Sequence, residues 1–226
     1  MGSRRAPGTT LIAARLLRVG LIGGCLLGVA ACGAATVATF RPEGKIATGA
    51  PAQAQPSGPG LEKFPLPASL QVVFDTPLPA DQAQAAIMVA DENYQLAFYY
   101  SLSTGGKDRS YTEYASAIPQ IGSESLAQFT QQDIAHYATT HVSRRGTIRF
   151  FDAKVVQDKG SGAEVEYCVD ESQFDSVNTQ TGSTTPLKNP YYLEQDSLVR
   201  ESDGSWLLTY TYGYYPPNQQ AQACAS

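Results

Sequence analysis

The sequence predicts an α+β domain in which amino-terminal helices pack on a four-stranded antiparallel sheet. From about residue 80 to residue 142, apolar residues recur every three or four positions, as they do on one face of a helix. From about residue 147 onward, apolar and polar residues alternate, as they do in strands with one buried face. Helices that precede a run of connected strands are typical of the α+β class, with the helices covering one face of the sheet.

Three helices are predicted, at Ala80–Ser103, Tyr111–Ala117 and about Ser123–Val142. Pro79-Ala80-Asp81 is a suitable start for the first helix, because proline is tolerated in the first turn, and Gly105-Gly106 ends it. The third helix is expected to bury Phe129 and to carry Arg144-Arg145 at its carboxyl end, where cations interact favourably with the helix dipole.

Four strands are predicted, at Thr147–Gln157, Ala163–Asp170, Tyr191–Glu201 and Trp206–Tyr215. The second has an apolar face that includes Val165 and Tyr167 and a polar face that includes Glu164 and Glu166. Asp203-Gly204 lies between the last two strands and is a hairpin signal.

Composition limits the classes of protein to which the chain can belong. Its 226 residues are enough for one domain with tails or for two small domains. Aromatic residues make up 10% of the sequence, which excludes a chain that is disordered throughout. The sequence pI is about 5.0 and the formal net charge is −5, so no nucleic-acid partner is expected.

The amino-terminal segment has the pattern of an export signal. Residues 1–18 contain arginines and no acidic residue, and residues 19–31 are uncharged and mostly apolar. The run ends in Val29-Ala30-Ala31-Cys32, which resembles the lipobox of bacterial lipoproteins. Cys32 is therefore expected to be the first mature residue, lipidated on its sulfur, which places the domain on the extracytoplasmic face of the cell membrane.

Two alternatives to the lipid anchor follow from the same segment. Uncharged sequence continues to Phe40, and a stretch of about 20 residues is long enough for an uncleaved transmembrane anchor. Simple secretion is the other alternative. The predicted organisation is a signal peptide at 1–31 (or a signal anchor to about residue 40), a flexible Ala/Pro/Gly-rich linker at 32–62 and a globular domain at 63–226.

Short motifs in the strand region point to a family. Cys168-Val169-Asp170 ends one strand, Gly204-Ser205-Trp206 opens the last strand, and Cys224 is the final cysteine. Together with the order of elements between Ala80 and Cys224, these motifs resemble small actinobacterial exported proteins, often lipoproteins, that carry a nuclear-transport-factor-two-like domain. That domain has the cone-shaped fold of ketosteroid isomerase. The resemblance implies a curved sheet, and because the family is largely of unassigned function it implies no particular activity.

The cysteines of the mature domain are expected to pair. Cys25 lies inside the signal, which leaves Cys168 and Cys224 in addition to the anchor residue. Two cysteines of an exported domain are expected to form a disulfide bond in an oxidising compartment. Two free thiols are the alternative.

The resemblance also implies where an active site would lie, because enzymes of the cone fold direct carboxylates and tyrosines into a cavity between sheet and helices. Asp152, on the Ile148/Phe150 face of the first predicted strand, is the candidate general base. The alternative is that this face is exposed, because Phe151, Ala153 and Val155 make an equally apolar opposite face. Tyr94, Tyr137 and Tyr210 are candidate donors to a developing oxyanion.

No cofactor and no metal are expected. His136 and His141 are the only histidines, and on a helix their side chains point about 140° apart, which does not suit joint metal ligation.

Alternation in the last strand places four aromatic residues on one face: Trp206, Tyr210, Tyr212 and Tyr214. Such a face would bind a ligand by stacking, or would simply form part of the core. The favoured interpretation is a non-catalytic binding or scaffold module of the cell envelope, with an envelope protein or a small apolar ligand as partner. The alternative is an isomerase, a hydrolase or a ligand carrier. A cavity that contains a buried carboxylate would favour catalysis, whereas a filled interior would favour a partner-binding surface.

Overall fold

The computed structural model describes residues 60–121 and 123–225. The predicted signal segment, the lipidation at Cys32 and nearly all of the predicted linker lie outside the described residues. None of the described helices is long and apolar enough to cross a membrane. The helices and strands are β1 (Leu70–Phe74), α1 (Gln82–Ser103), a 3₁₀ turn (Ser110–Glu113), β2 (Pro119–Ile121), β3 (Glu124–Ser125), α2 (Leu126–Thr139), β4 (Val142–Asp158), β5 (Gly162–Asn178), β6 (Thr184–Pro186), β7 (Tyr191–Arg200), β8 (Trp206–Tyr214), α3 (Gln219–Gln222) and a second 3₁₀ turn (Ala223–Ala225).

The predicted α+β class is confirmed, and the sheet contains the four predicted antiparallel strands in the order β4-β5-β7-β8. The prediction of four strands was incomplete. The sheet has six, because β1 pairs in parallel with the outer edge of β4 and the short β6 pairs with β5. The sheet is therefore mixed rather than wholly antiparallel.

Helix α1 begins and ends close to the predicted bounds. The Asp81 side chain accepts hydrogen bonds from the backbone N–H groups of Ala83 and Gln84, which satisfies donors that a helix start leaves free. The middle of α1 is buried on nearly every side, because the sheet covers one face and the segment before β1 covers another. Asn93 ties that segment down by accepting from the Glu62 N–H at 2.8 Å.

Helix α2 is shorter than predicted. Ser125 caps it together with Gln128 in a reciprocal capping box. The helix ends at Thr139, and the chain turns at His141, where φ is 57°, directly into β4. Arg144-Arg145 therefore lie in a strand and not at a helix end, and Phe129, predicted to be buried, is 52% exposed.

Two irregularities in the sheet reverse which side chains face the helices. In β4 the register shifts between Phe151 and Lys154, where Asp152 has a φ of 53°. In β8 the register shifts beside Thr209, opposite the Ser197–Leu198 step of β7. A bulge adds one residue to a strand, so the alternation before it continues on the opposite face after it. Both bulges change which residues reach the interior, and the pairing of β4 with β5 also shifts at Thr147/Arg149 and at Val155/Gln157.

The carboxyl-terminal tail is bonded to the sheet. The sulfur atoms of Cys168 on β5 and Cys224 are 2.00 Å apart, which is the disulfide bond expected from the sequence. Ala221 of α3 and Cys224 are buried, so the tail covers part of the sheet face opposite to α1.

Candidate functional site

Three carboxyl groups are buried together between α1 and β7. Asp91 is 2% exposed, Glu194 is 9% exposed and Asp196 is fully buried. Glu194 and Asp196 face inward because they lie on the same face of β7 as buried Tyr192 and Leu198. Charged groups are rarely placed in a core without partners, so this cluster is the strongest candidate for a functional site.

Neutral donors hold the cluster in place. Oε1 of Glu194 accepts hydrogen bonds from Gln95 Nε2 at 2.9 Å, from the Tyr167 hydroxyl at 3.0 Å and from the Thr211 hydroxyl at 3.1 Å. The Tyr167 hydroxyl also lies 2.6 Å from Oδ2 of Asp196. One hydroxyl proton cannot serve both acids at once, so Tyr167 links their protonation states.

The environment favours the protonated forms of these acids. Burial, followed by the charge of Asp196, raises the pKa of Glu194 to about 8 against the opposing hydrogen bonds. Burial, followed by the charge of Asp196, also raises the pKa of Asp91 well above its ordinary value. Among the described residues, the ion pairs all lie elsewhere and bring no Lys or Arg to the three acids. The cluster therefore retains protons near neutrality.

A cavity of about 150 Å³ opens beside Glu194. Its wall contains Gln95 and Thr211 from the acid cluster, and the Tyr94 hydroxyl, which is 2.7 Å from the Thr130 hydroxyl. The other lining residues are largely aromatic: Phe98, Tyr99, Phe129, Asp133 and Tyr192. An apolar wall with a few converging polar groups is the usual character of a small-molecule site.

A second cavity, of about 380 Å³, lies next to the first and shares Phe98, Tyr99 and Tyr192 with it. Arg144 and Glu171 line this second cavity. Burial raises the pKa of Glu171 to about 7, although the nearby Arg144 charge acts in the opposite direction.

Asp152, the predicted general base, is not in either cavity. It is exposed at the bulge of β4, while Ala153 and Val155 take the inward positions that follow Phe150. The prediction assumed that the side chains of β4 alternate without a break, whereas the bulge at Asp152 interrupts the alternation. Asp152 is thus exposed to solvent and does not lie in an apolar pocket.

The predicted tyrosine donors are divided among three places. Tyr94 lines the cavity beside Glu194, and Tyr137 lines the neighbouring cavity. Tyr210 pairs with Ser197 on the opposite face of the sheet from Asp196 and Thr211, so it does not reach either cavity.

The predicted common face of four aromatic residues is wrong. Trp206 precedes the bulge in β8 and is buried in the core, whereas Tyr210, Tyr212 and Tyr214 follow it and lie on the outer face of the sheet. There the three rings form a row, with centroids 6.2 Å and 4.7 Å apart. Tyr212 is 47% exposed.

The described residues contain no group of three His, Cys, Asp or Glu side chains arranged to hold a metal ion. His136 and His141 are both exposed.

The sequence contains a weak signal for the acid cluster. Asp91 lies one turn after Ile87 and one turn before Gln95, within the buried part of α1. Glu194 and Asp196 have the spacing of one strand face, but the opposite face carries Leu193 and is equally apolar by pattern. An acid one helical turn from apolar Ile87 was therefore the available signal.

Comparison with known proteins gives structural neighbours. No protein-family model and no curated protein matches the chain. Similar solved structures include a ketosteroid isomerase-like protein from Erwinia carotovora atroseptica, which is 17% identical, covers 60% of this chain and 98% of its own, and has a TM-score of 0.44. Aln2 from a Streptomyces species is 13% identical, with 65% and 99% covered and a TM-score of 0.42. A nuclear transport factor 2-like superfamily protein from Salmonella enterica serovar Typhimurium is 14% identical, with 58% and 94% covered and a TM-score of 0.40.

The names of two of these neighbours, the proteins from Erwinia and Salmonella, match the resemblance drawn from the sequence. At such identities they say nothing about a reaction or a ligand. The assignment to the α+β class rests on the order of elements and on the sheet topology described above.

Proposed function

We propose that the domain is a proton-transfer enzyme of the isomerase type, which binds a small apolar carbonyl compound in the cavity beside Glu194. The observation that carries this proposal is a buried carboxyl group with a pKa of about 8 in the wall of an aromatic-lined cavity. The sequence favoured a non-catalytic binding module, but a carboxylate inside a cavity is the feature that distinguishes an enzyme from such a module.

The chemistry requires a base that gains and returns a proton at carbon. In its ionised form, Glu194 would take the proton from the carbon next to the carbonyl group, and the carbonyl oxygen would become an enolate oxygen. The Tyr94–Thr130 hydroxyl pair, on the same cavity wall, supplies a donor for that oxygen. Glu194 then returns the proton to another carbon of the same molecule, so that the net reaction shifts a double bond.

The acid cluster supports this role by controlling the proton on Glu194. Gln95, Tyr167 and Thr211 all donate to Oε1, and none of the hydrogen bonds among the described residues reaches Oε2. Oε2 is therefore the oxygen with lone pairs free for a ligand. A base with a pKa of about 8 is strong enough to take a proton from carbon and is still partly ionised in neutral solution.

Conversion of cyclohex-3-enone to cyclohex-2-enone tests the proposal, because the conjugated product is followed by its ultraviolet absorbance. We expect the purified domain to accelerate the conversion and Glu194→Gln to lower the rate by about 100-fold or more. Glu164→Gln is the matched control, because Glu164 lies on the polar face of β5 and away from both cavities. No acceleration by the wild type, or full activity in Glu194→Gln, would refute the proposal.

We further propose that the domain is exported and held at the outer face of the cell membrane by lipid on Cys32. The Val29-Ala30-Ala31-Cys32 sequence supports this, and so does the Cys168–Cys224 disulfide, because disulfides persist in oxidising compartments. Cys32→Ala is expected to abolish palmitate incorporation and to release the protein from the membrane fraction. Cys25→Ala should change neither result. Unchanged membrane retention of Cys32→Ala would instead support the transmembrane anchor.

A further inference from the structure

Arg144 is held in the second cavity by neutral groups. Its Nη2 donates to the Tyr137 hydroxyl at 2.8 Å, and its Nη1 donates to the Ser176 hydroxyl. The guanidinium carbon lies 5.0 Å from the centre of the Tyr137 ring and 5.8 Å from that of Phe174. Rings and hydroxyls orient a guanidinium without neutralising its charge.

No carboxylate of the described residues forms an ion pair with Arg144. The next residue, Arg145, is paired with Asp175 at 3.8 Å, and Arg149 is paired with Asp75 and Asp170. Glu171 lines the same cavity as Arg144, but its carboxyl group is not within ion-pair distance of the Arg144 guanidinium. Arg144 is thus a fixed cation that lines a cavity and has no close counter-ion there.

The same cavity contains further groups suited to an anion. Lys188 and Asn189, from the segment between β6 and β7, line it together with Arg144. Two cations and one carboxyl group line this cavity, so its lining residues carry a net positive charge even when Glu171 is ionised. Phe98, Tyr99 and Tyr192 then form a continuous aromatic wall from this cavity to the one beside Glu194.

We infer that the ligand of this domain is a carboxylate with an apolar body, bound through its carboxylate to Arg144 and Lys188. This inference rests on the proposed function, because it names the class of substrate that reaches Glu194. A guanidinium can donate two parallel N–H groups to the two oxygens of a carboxylate. The aromatic wall accommodates the apolar part of the ligand. Anchoring the anion in the second cavity also keeps its charge away from the acid cluster, where a further negative charge would be repelled.

Calorimetric titration with 4-phenylbutyrate and 4-phenylbutyramide tests the inference, because the two probes share an apolar body and differ in charge. We expect the wild type to bind the carboxylate at least tenfold more tightly than the amide. Arg144→Gln should remove this preference, and Arg144→Lys should restore part of it. Arg145→Gln is the matched control and should keep the full preference, because Arg145 is exposed and paired with Asp175.

Lys188→Gln is a second test in case Arg144→Gln fails to fold. Lys188 is exposed, so its replacement should leave the fold intact and should weaken the binding of the carboxylate, but not of the amide, by a few fold. Equal affinity of the wild type for both probes, or no binding of either, would overturn the inference, as would an unchanged preference in Arg144→Gln. Because these measurements involve no reaction, a domain that prefers the carboxylate but catalyses no isomerisation would refute the proposed function alone, and Arg144 would remain a carboxylate-binding residue.

Discussion

Asp91 on α1 and Asp196 on β7 form a carboxyl–carboxyl contact in the interior of the domain. Oδ1 of each residue is fully buried, and no donor of the described residues reaches either atom. A protonated Asp91 that donates to an ionised Asp196 is the arrangement that satisfies this contact, and the raised pKa of Asp91 agrees with it. The two acids therefore titrate as a pair.

The first prediction concerns this shared proton. Asp91→Asn supplies a permanent N–H donor to Asp196 and removes one titrating group, so stability at pH 5.5 should stay within about 1 kcal/mol of the wild type and should exceed it at pH 8. Asp91→Ala removes the donor and should cost about 1–3 kcal/mol at both pH values. Urea unfolding at the two pH values measures these differences. Equal losses in the two variants would show that no proton is shared.

The second prediction concerns pH and stability. The pKa of Glu194 rises from 4.5 to about 8 on folding, so between these values the folded protein holds a proton that the unfolded chain has lost. Its contribution is complete below about pH 4.5 and is lost as the pH rises through 8, with a slope of about 1.4 kcal/mol per pH unit. Glu92 and Glu171, with pKa values raised to about 7 by burial, act in the same direction.

We therefore expect the free energy of unfolding to fall between pH 5 and pH 8, and Glu194→Gln to flatten part of that fall. Urea titrations at one-unit intervals measure the slope. Glu164→Gln serves as the control on the polar face of β5 and should leave the slope as it is in the wild type. A free energy of unfolding of the wild type that stays constant or rises between pH 5 and pH 8 would contradict the raised pKa of Glu194.

The third prediction concerns the tail. The Cys168–Cys224 bond closes a loop over a sequence separation of 56 residues. In the chain-entropy description, its loss should lower the free energy of unfolding by about 4 kcal/mol. Urea unfolding with and without dithiothreitol measures this loss, and the Cys168→Ser/Cys224→Ser variant should be insensitive to the reductant. Identical wild-type curves in both conditions would contradict the prediction.

The fourth prediction concerns Gly146 in β4. Its φ is 102°, and a Cβ atom added there would lie 1.9 Å from the Gln173 carbonyl oxygen. Gly146→Ala should therefore cost more than about 3 kcal/mol, since the left-handed backbone alone costs about 1–2 kcal/mol. Gly160→Ala is the matched control, because its φ of 76° is also positive but no atom lies within 4 Å of the added Cβ.

Thermal or urea unfolding of the two glycine variants separates steric overlap from backbone strain. Gly160→Ala should show only the smaller cost. If the two variants lost the same stability, the close approach of β4 to β5 at Gly146 would not be an obligatory contact.

Local pattern was sufficient for most of the secondary structure. The start of α1 follows from Asp81, which caps the helix through its own side chain, and the inward face of β5 follows from the alternation that contains Val165 and Tyr167. Both features depend on residues a few positions apart, so the sequence contains the whole cause.

The candidate site was not predictable in the same way. Asp152 was the candidate base only while β4 was assumed to alternate without a break. Nothing in the sequence indicates that this non-glycine residue adopts a φ of 53°. The bulge beside Thr209 likewise moved Tyr210 to the outer face and brought Thr211 to Glu194.

Short stretches of sequence were enough to predict the α+β class, the order of the main helices and strands and the cysteine pair, because periodicity, caps and residue type act locally. Which acids are buried depends on the tertiary structure. Gln95 and Tyr167 are separated by 72 positions and Gln95 and Glu194 by 99, yet all three meet in one hydrogen-bonded cluster. Only folding brings such distant groups together, and the removal of water around them is what raises the pKa of Glu194.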